Sequence, residues 1–232
     1  MTFLVQPALK SLMESSVNAD WVVDSVEDAS AYDYVIPLLS LPGIFGVSPR
    51  TVVRREGYLK VDESKQNVWR KRAASVREVP KIGLIWSGNT YQGAIRNRSA
   101  SWEDLKPLLD VDGVQYVSLQ KECSAAERQC LQAAGVVEWG SLLTDFADTA
   151  AAMEQLDLVI SVDTAGAHVA GGTGQDTWLA LPQRSEWRWL TERMDTPWYE
   201  SMRLFRQTAE GQWGAVFRTM AEELRSKRWK RS

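Results

Sequence analysis

From Lys81 onward the chain alternates short apolar runs with amphipathic stretches, the pattern of βα units feeding a parallel sheet. KIGLIW (81–86), VQYVSL (114–119), the pair Val136–Val137, LVISV (158–162) and TWLAL (177–181) read as five successive strands. LVISV is an uninterrupted apolar run, which suits a central strand covered on both faces. The segments between carry helix signals. Ser101 with Asp104 opens a helix running to Leu109, and the Asp112-Gly113 pair marks the turn after it. Ser124 with Glu127 opens another, which Gly135 closes in a left-handed conformation. Residues 145–156 place alanine and apolar side chains at helical spacing, Asp163–Gly172 turns into a helix, and Trp213–Trp229 forms a long amphipathic one.

This accounts for a five-stranded Rossmann-like domain over residues 80 to about 200, closed by a C-terminal helix. Residues 1–79 differ. Pro7–Ser15 reads as a helix and the stretches near Trp21 and Tyr34 as strands, but two strands cannot close a core. The expectation is an α/β protein in two parts: a partial N-terminal α/β domain with its linker at 1–79, and a Rossmann-like parallel sheet at 80–232. The basic stretch Asn67–Val76 bridges the two.

Composition narrows the function. With 232 residues, 44% of them hydrophobic and 25% charged, the chain has the makeup of a globular protein and not of a disordered one. A net charge of -3 gives no general attraction to nucleic acid or to an anionic membrane, so any phosphate recognition must be local. No apolar run reaches the roughly 18 residues of a membrane span, and the first residues lack the basic flank of a signal peptide. A cytoplasmic protein is expected. The two cysteines, Cys123 and Cys130, fit neither a zinc site nor a disulfide framework and read as buried or partly buried thiols. The basic tail 225–231 reads as the solvated end of a terminal helix.

The most informative segment is SVDTAGAHVAGG (161–172). Ligands of open α/β sheets bind at the carboxyl ends of the strands, where Asp163 falls. A helix starting near Thr164 presents the free amides of Thr164, Ala165 and Gly166, and the positive end of its dipole, to an anion. Small side chains there let a diphosphate approach the backbone. Asp163 reads either as a helix cap or as an acceptor for sugar hydroxyls. His168, the only histidine, reads either as a structural residue or as a donor to a phosphoryl oxygen. On the same sheet edge the small-residue turn Ser87, Gly88 and Asn89 leads to the basic run RNRS (96–99) with Arg98. Gln120 and Lys121 follow the second strand, and a lysine there reaches a phosphate as a point charge.

Other chemistries fare poorly. The DVD at 110–112 resembles a metal-binding motif of some glycosyltransferases but precedes a strand instead of following one. No His/Cys/carboxylate cluster suggests a metal. GxSxG is absent, which leaves a Ser-His-Asp triad unsupported, and no GxGxxG follows the first strand to suggest a dinucleotide site. Most of the eleven tryptophans read as packing residues, with Trp187, Trp189 and Trp198 the ones placed to stack on a sugar.

The series IGLIWSGN, RNRS, VSLQK, DFADTAA, LDLVISVDTAGAH, WRWL and PWYESMRLFRQ resembles the C-terminal domain of GT-B glycosyltransferases of the ADP-heptose heptosyltransferase-like family (family nine), and of the tetratricopeptide-linked proteins related to O-linked N-acetylglucosamine transferases. The likeness covers residues 80–225, and PLLSLPGIFGV (37–47) looks like the end of that family's N-terminal domain. It implies inverting glycosyl transfer from a nucleotide-diphosphate sugar, ADP- or UDP-linked, with no cofactor and no metal. It further implies that Lys121 contacts the diphosphate, Thr164 to Gly166 cradle it, Asp163 holds sugar hydroxyls and His168, in the catalytic role, supports the leaving phosphate, with Ser87, Gly88, Asn89 and Arg98 lining the donor site. The acceptor, whether glycan, lipid-linked glycan or protein, and the catalytic base are not identified. Glu14, Asp24 and Asp33 are the carboxylates in the N-terminal part outside any such motif.

Two departures stand out. The family's N-terminal strand, glycine-rich loop and helix are not found, which implies a truncated member. In GGTGQDTW (171–178), Gln175 and Asp176 replace a Lys-Pro pair, which is expected to remove a positive charge and a rigid turn near the site. The alternative to an enzyme is therefore a catalytically impaired module that binds a nucleotide sugar or a partner domain, or associates with itself through apolar surface left exposed.

Overall fold

The computed structural model describes residues 1–52, 57–88 and 98–226. At the N-terminus β1 (Thr2–Leu4) pairs in parallel with β2 (Trp21–Val23), joined by a short 3-10 turn and helix α1 (Lys10–Ser16). No strand forms at Tyr34, contrary to expectation; the partner of the Trp21 strand is Thr2–Leu4. Residues 34–36 meet Pro37, which lacks an N–H and opens a 3-10 turn leading into α2 (Leu41–Ile44), so no ladder can grow there. Tyr34, Val35, Leu38, Leu39 and Phe45 are all exposed.

The expected basic bridge is a well-formed helix, α3 (Glu63–Ala74), capped by the Asp62 carboxylate, which accepts from the Ser64 amide. From there the chain builds a six-stranded sheet. Its strands are β3 (Lys81–Ile85), β4 (Gln115–Ser118), β5 (Val137–Glu138), β6 (Leu158–Val162), β7 (Thr177–Leu181) and β8 (Met202–Arg206). The order is β5-β4-β3-β6-β7-β8 and all pairs are parallel. β8 is one strand more than the sequence suggested. Two arginines hide it: Arg203 lies over the Phe205 ring and pairs with Glu223, while Arg206 bonds Ser185 and the Trp189 carbonyl, so neither breaks the buried run of Met202, Leu204 and Phe205.

Helices cover both faces. The short α4 (Lys106–Leu109), α5 (Ala125–Ala133) and the C-terminal α8 (Trp213–Arg225) pack with Ile82, Leu84, Ile160 and Phe205 on one side. On the other side α6 (Phe146–Met153) and α7 (Ala165–Thr173) pack with Val117 and Val159, and Leu12 of α1 and Trp69 of α3 join the same cluster. Alanines 147, 150, 151 and 152 on α6 are fully buried and let α1, α3 and α7 approach it closely. A polar latch fixes α3 to this helix. Lys65 Nζ lies 3.0 Å from Asp145 and 3.1 Å from Asp148, and the Trp69 indole N–H donates to Asp148 over 3.2 Å. Burial works against the Asp148 carboxylate, but hydrogen bonds from Thr144, Trp69 and Lys65 outweigh it and hold its pKa at about 2. Of the tryptophans, 69, 86, 139, 178, 189 and 213 are buried, as expected of packing residues, whereas Trp21 and Trp187 are exposed. Cys123 is half-buried, but Cys130 on α5 is exposed, contrary to the expectation of covered thiols.

Candidate functional site

β3 and β6 are neighbours, yet the chain leaves β3 toward β4 and β5 on one side and leaves β6 toward β7 and β8 on the other. The carboxyl ends of β3 and β6 therefore flank a topological switch point, where crossovers diverge and leave a crevice. Thr164, the residue before α7, has extended backbone and caps nothing with its side chain. The Ala165 and Gly166 amides consequently have no side-chain cap, whereas the Ala167 amide donates to the Thr164 carbonyl over 3.1 Å. α5 and α6 start differently: Ser124 and Glu127 form a complete capping box on α5, and Asp145 accepts from the Asp148 amide on α6. Asp163 lies one residue before the helix boundary and is not its cap, so that reading of its carboxylate is set aside. Gly166 packs closely here: a Cβ would stand 2.5 Å from Ile85 Cδ1 at the end of β3, so a larger residue would need that side chain to shift.

The turn after β3 is held by two side chains. Gln120, buried at the end of β4, accepts from the Trp86 and Ser87 amides (3.2 and 3.0 Å) and donates to the Ser87 carbonyl (3.0 Å). Ser99 accepts from the Gly88 amide at 3.1 Å. Ser87, Gly88 and Lys121 line one cavity of about 540 Å³, to which α5 contributes Arg128. Lys121 is exposed, and among the described residues its ammonium reaches the Thr144 carbonyl, at 3.5 Å. Asn89 lies outside the described residues.

Asp163 is almost wholly buried, and Arg98 reaches it from the loop after β3, Nη1 to Oδ2 at 3.4 Å. The other end of the same guanidinium meets Glu186 at 3.1 Å, and Glu186 in turn pairs with Arg188. His168, one turn into α7, lies beside this group. Its Nδ1 is 2.9 Å from the Tyr199 hydroxyl and its ring stacks on Trp189, centroids 5.2 Å apart and planes 20° apart. Burial pushes the imidazole pKa below its ordinary value, with Asp163 opposing the shift, so the ring is neutral at pH 7.

The structure thus gathers Arg98, Asp163, His168 and the α7 amides on one sheet edge, with Ser87, Gly88 and Lys121 beside them. One expectation is overturned. Gln175 and Asp176 follow the C-terminal end of α7 and lead into the amino end of β7, nine helical residues or about 13 Å from the α7 N-terminus, so their identity changes nothing near the site. Gln175 serves locally, donating to the Leu156 carbonyl. Sequence reasoning did not single out Gln120, Glu186, Arg188 or Tyr199 as site residues. Glu186 precedes the WRWL run, Arg188 lies within it and Tyr199 falls in PWYESMRLFRQ, all between β7 and β8, but nothing in their spacing shows that this long connection folds back over α7.

Among the described residues, no group of three His, Cys, Asp or Glu is placed to hold a metal ion, and no helix is long and apolar enough to cross a membrane. The fold, a six-stranded parallel sheet covered by helices on both faces, is similar to that of a solved glycosyltransferase. A glycosyltransferase of family 9 from Veillonella parvula superposes with a TM-score of 0.54 at 11% identity, over 89% of this chain and 63% of that one. ADP-heptose LPS heptosyltransferase II of E. coli aligns with a TM-score of 0.49 at 20% identity, over 72% of this chain and 52% of that one. In sequence, 177 residues are 27% identical to Protein FlbA of Caulobacter vibrioides, over 74% of this chain and 29% of that protein. The chain thus spans under a third of FlbA and under two thirds of either solved structure. No family model matches it.

Proposed function

We propose that this chain binds a nucleotide-diphosphate sugar at the carboxyl edge of its sheet and serves inverting, metal-independent glycosyl transfer. The observation that carries this reading is the uncapped N-terminus of α7 at the switch point, on the same sheet edge as Ser87, Gly88 and Lys121. Free amides aimed along the dipole receive a diphosphate, and the small residues Ala165 and Gly166 let it come close. Lys121 adds a mobile positive charge. Asp163 accepts from sugar hydroxyls while Arg98 faces the phosphates. As the glycosidic bond breaks, charge develops on the leaving diphosphate; preorganised amides and a neutral imidazole at His168 stabilise it without first losing bulk hydration. The nucleotide is ADP- or UDP-linked by this reading, and the acceptor is a glycan, a lipid-linked glycan or a protein.

A thermal-shift screen against ADP, UDP, GDP and their sugar conjugates tests it. A ligand at 100 times its dissociation constant adds about 2.7 kcal/mol and raises the midpoint by roughly 5 to 10 °C. A shift for one nucleotide that Lys121→Ala removes supports the site. A cooperative melt that no nucleotide moves sinks it. Tight binding of a donor with no hydrolysis or transfer identifies a binding module in place of an enzyme.

A further inference from the structure

Among the described residues Arg98 is the one arginine that reaches Asp163, and it is shared. One end of its guanidinium contacts the buried Asp163; the other contacts Glu186, which is also held by Arg188. Glu186 belongs to a segment with two further peculiarities. Leu190, which ends the Trp187–Trp189 turn, has φ 54° and ψ -168°, a backbone conformation that glycine tolerates and leucine does not. The Trp189 indole nitrogen, fully buried against His168, has no hydrogen-bond partner among the described residues. A carboxylate on the candidate phosphate-binding arginine, a strained residue four positions on and an orphaned indole N–H between them occur in five consecutive residues.

We propose that Glu186 competes with the donor's diphosphate for Arg98, and that the segment Glu186–Leu190 is a strap that shifts when a nucleoside diphosphate binds. The inference rests on the donor-site reading above. Two anionic groups cannot both use the same face of Arg98, so the pairing seen here and a diphosphate on that face exclude one another. Asp163 keeps its hold, because it is buried and its charge needs Arg98 as partner. Glu186 is the exchangeable one: it is partly exposed and Arg188 remains to receive it. Movement of the strap also lets Leu190 leave its strained backbone and frees the Trp189 N–H to find an acceptor.

The test is the affinity of the full chain for ADP and UDP by calorimetry, for wild type, Glu186→Gln and Glu192→Gln. Glu192 is an exposed carboxylate of the same connection, and its substitution makes the same change in net charge. If the pairing with Glu186 is populated in about 70 to 90% of molecules, Glu186→Gln tightens nucleotide binding about 3- to 10-fold, while Glu192→Gln leaves it unchanged. Binding that is equal in wild type and Glu186→Gln, or weaker in the variant, overturns the competition while leaving the donor site standing. An equal gain in both variants overturns it too, by showing a general charge effect. Absence of binding in all three proteins removes the donor site and the competition together.

Discussion

Tyr199 holds the only histidine of the chain: its hydroxyl lies 2.9 Å from His168 Nδ1, and its ring packs so close to α7 that a Cβ on Gly171 would stand 2.4 Å from it. Burial, the larger effect, and a nearby Tyr58 both raise the Tyr199 pKa, so the phenol keeps its proton and is available to donate to the imidazole. With Nδ1 accepting, the neutral ring carries its proton on Nε2. A single histidine makes this directly readable. A long-range proton–nitrogen spectrum of the labelled protein is expected to show one neutral imidazole protonated on Nε2, titrating below the ordinary value of 6.5. A signal already cationic at pH 7 contradicts it.

The same group sets a pH dependence. The folded pKa of His168 is depressed, so the unfolded chain binds more protons between the two values. Stability from this residue is complete above about pH 6.5 and is lost as pH falls toward the folded pKa. His168→Gln, which cannot charge, flattens that part of the curve in chemical denaturation followed from pH 7.5 to 5.

The latch between α3 and α6 acts at lower pH. Asp148 has a folded pKa of about 2 against an ordinary 3.8, so its stabilisation is present above the unfolded value and is lost between about pH 5 and pH 2. Asp148→Asn is expected to cost roughly 1–2 kcal/mol at pH 7 and almost nothing at pH 2, measured by urea unfolding. An equal cost at both pH values assigns the effect to packing.

Gly140 couples stability to the candidate site. A Cβ there would lie 1.9 Å from the Gln120 carbonyl oxygen, and backbone cannot step aside as a side chain does. Gly140→Ala therefore displaces the residue that holds the Ser87 turn. The expected outcome is a loss of about 1–3 kcal/mol together with weaker nucleotide binding.

Leu190→Gly removes strain at a positive φ. It is expected to raise stability by about 1 kcal/mol, although a glycine elsewhere in a loop lowers it. A lower melting temperature rules the strain out.

The strands that could be read from sequence were those whose residues face protein on both sides, such as LVISV and TWLAL; they match β6 and β7 residue for residue. β8 escaped because its arginines satisfy themselves on Phe205, Glu223, Ser185 and a carbonyl, contacts made only after folding. The same division runs through the site. Thr164 to Gly166, Ser87, Gly88 and Lys121 follow predictable strands, so the parallel topology alone assigns them to one edge. Glu186, Trp189 and Tyr199 arrive from a connection of twenty residues between β7 and β8, whose path depends on burying Trp189 beside His168. No local pattern encodes that path.

The four buried alanines of α6 have a mechanical consequence. A helix face built of single methyl groups lets α1, α3 and α7 come close, with Leu12 and Trp69 fully buried in the cluster it forms. Lys65 and Trp69 on Asp148, and the Leu59 amide on the Gly172 carbonyl 2.9 Å away, pin that contact at two helices. Any displacement of the first 75 residues against the sheet must therefore break polar contacts to both α6 and α7.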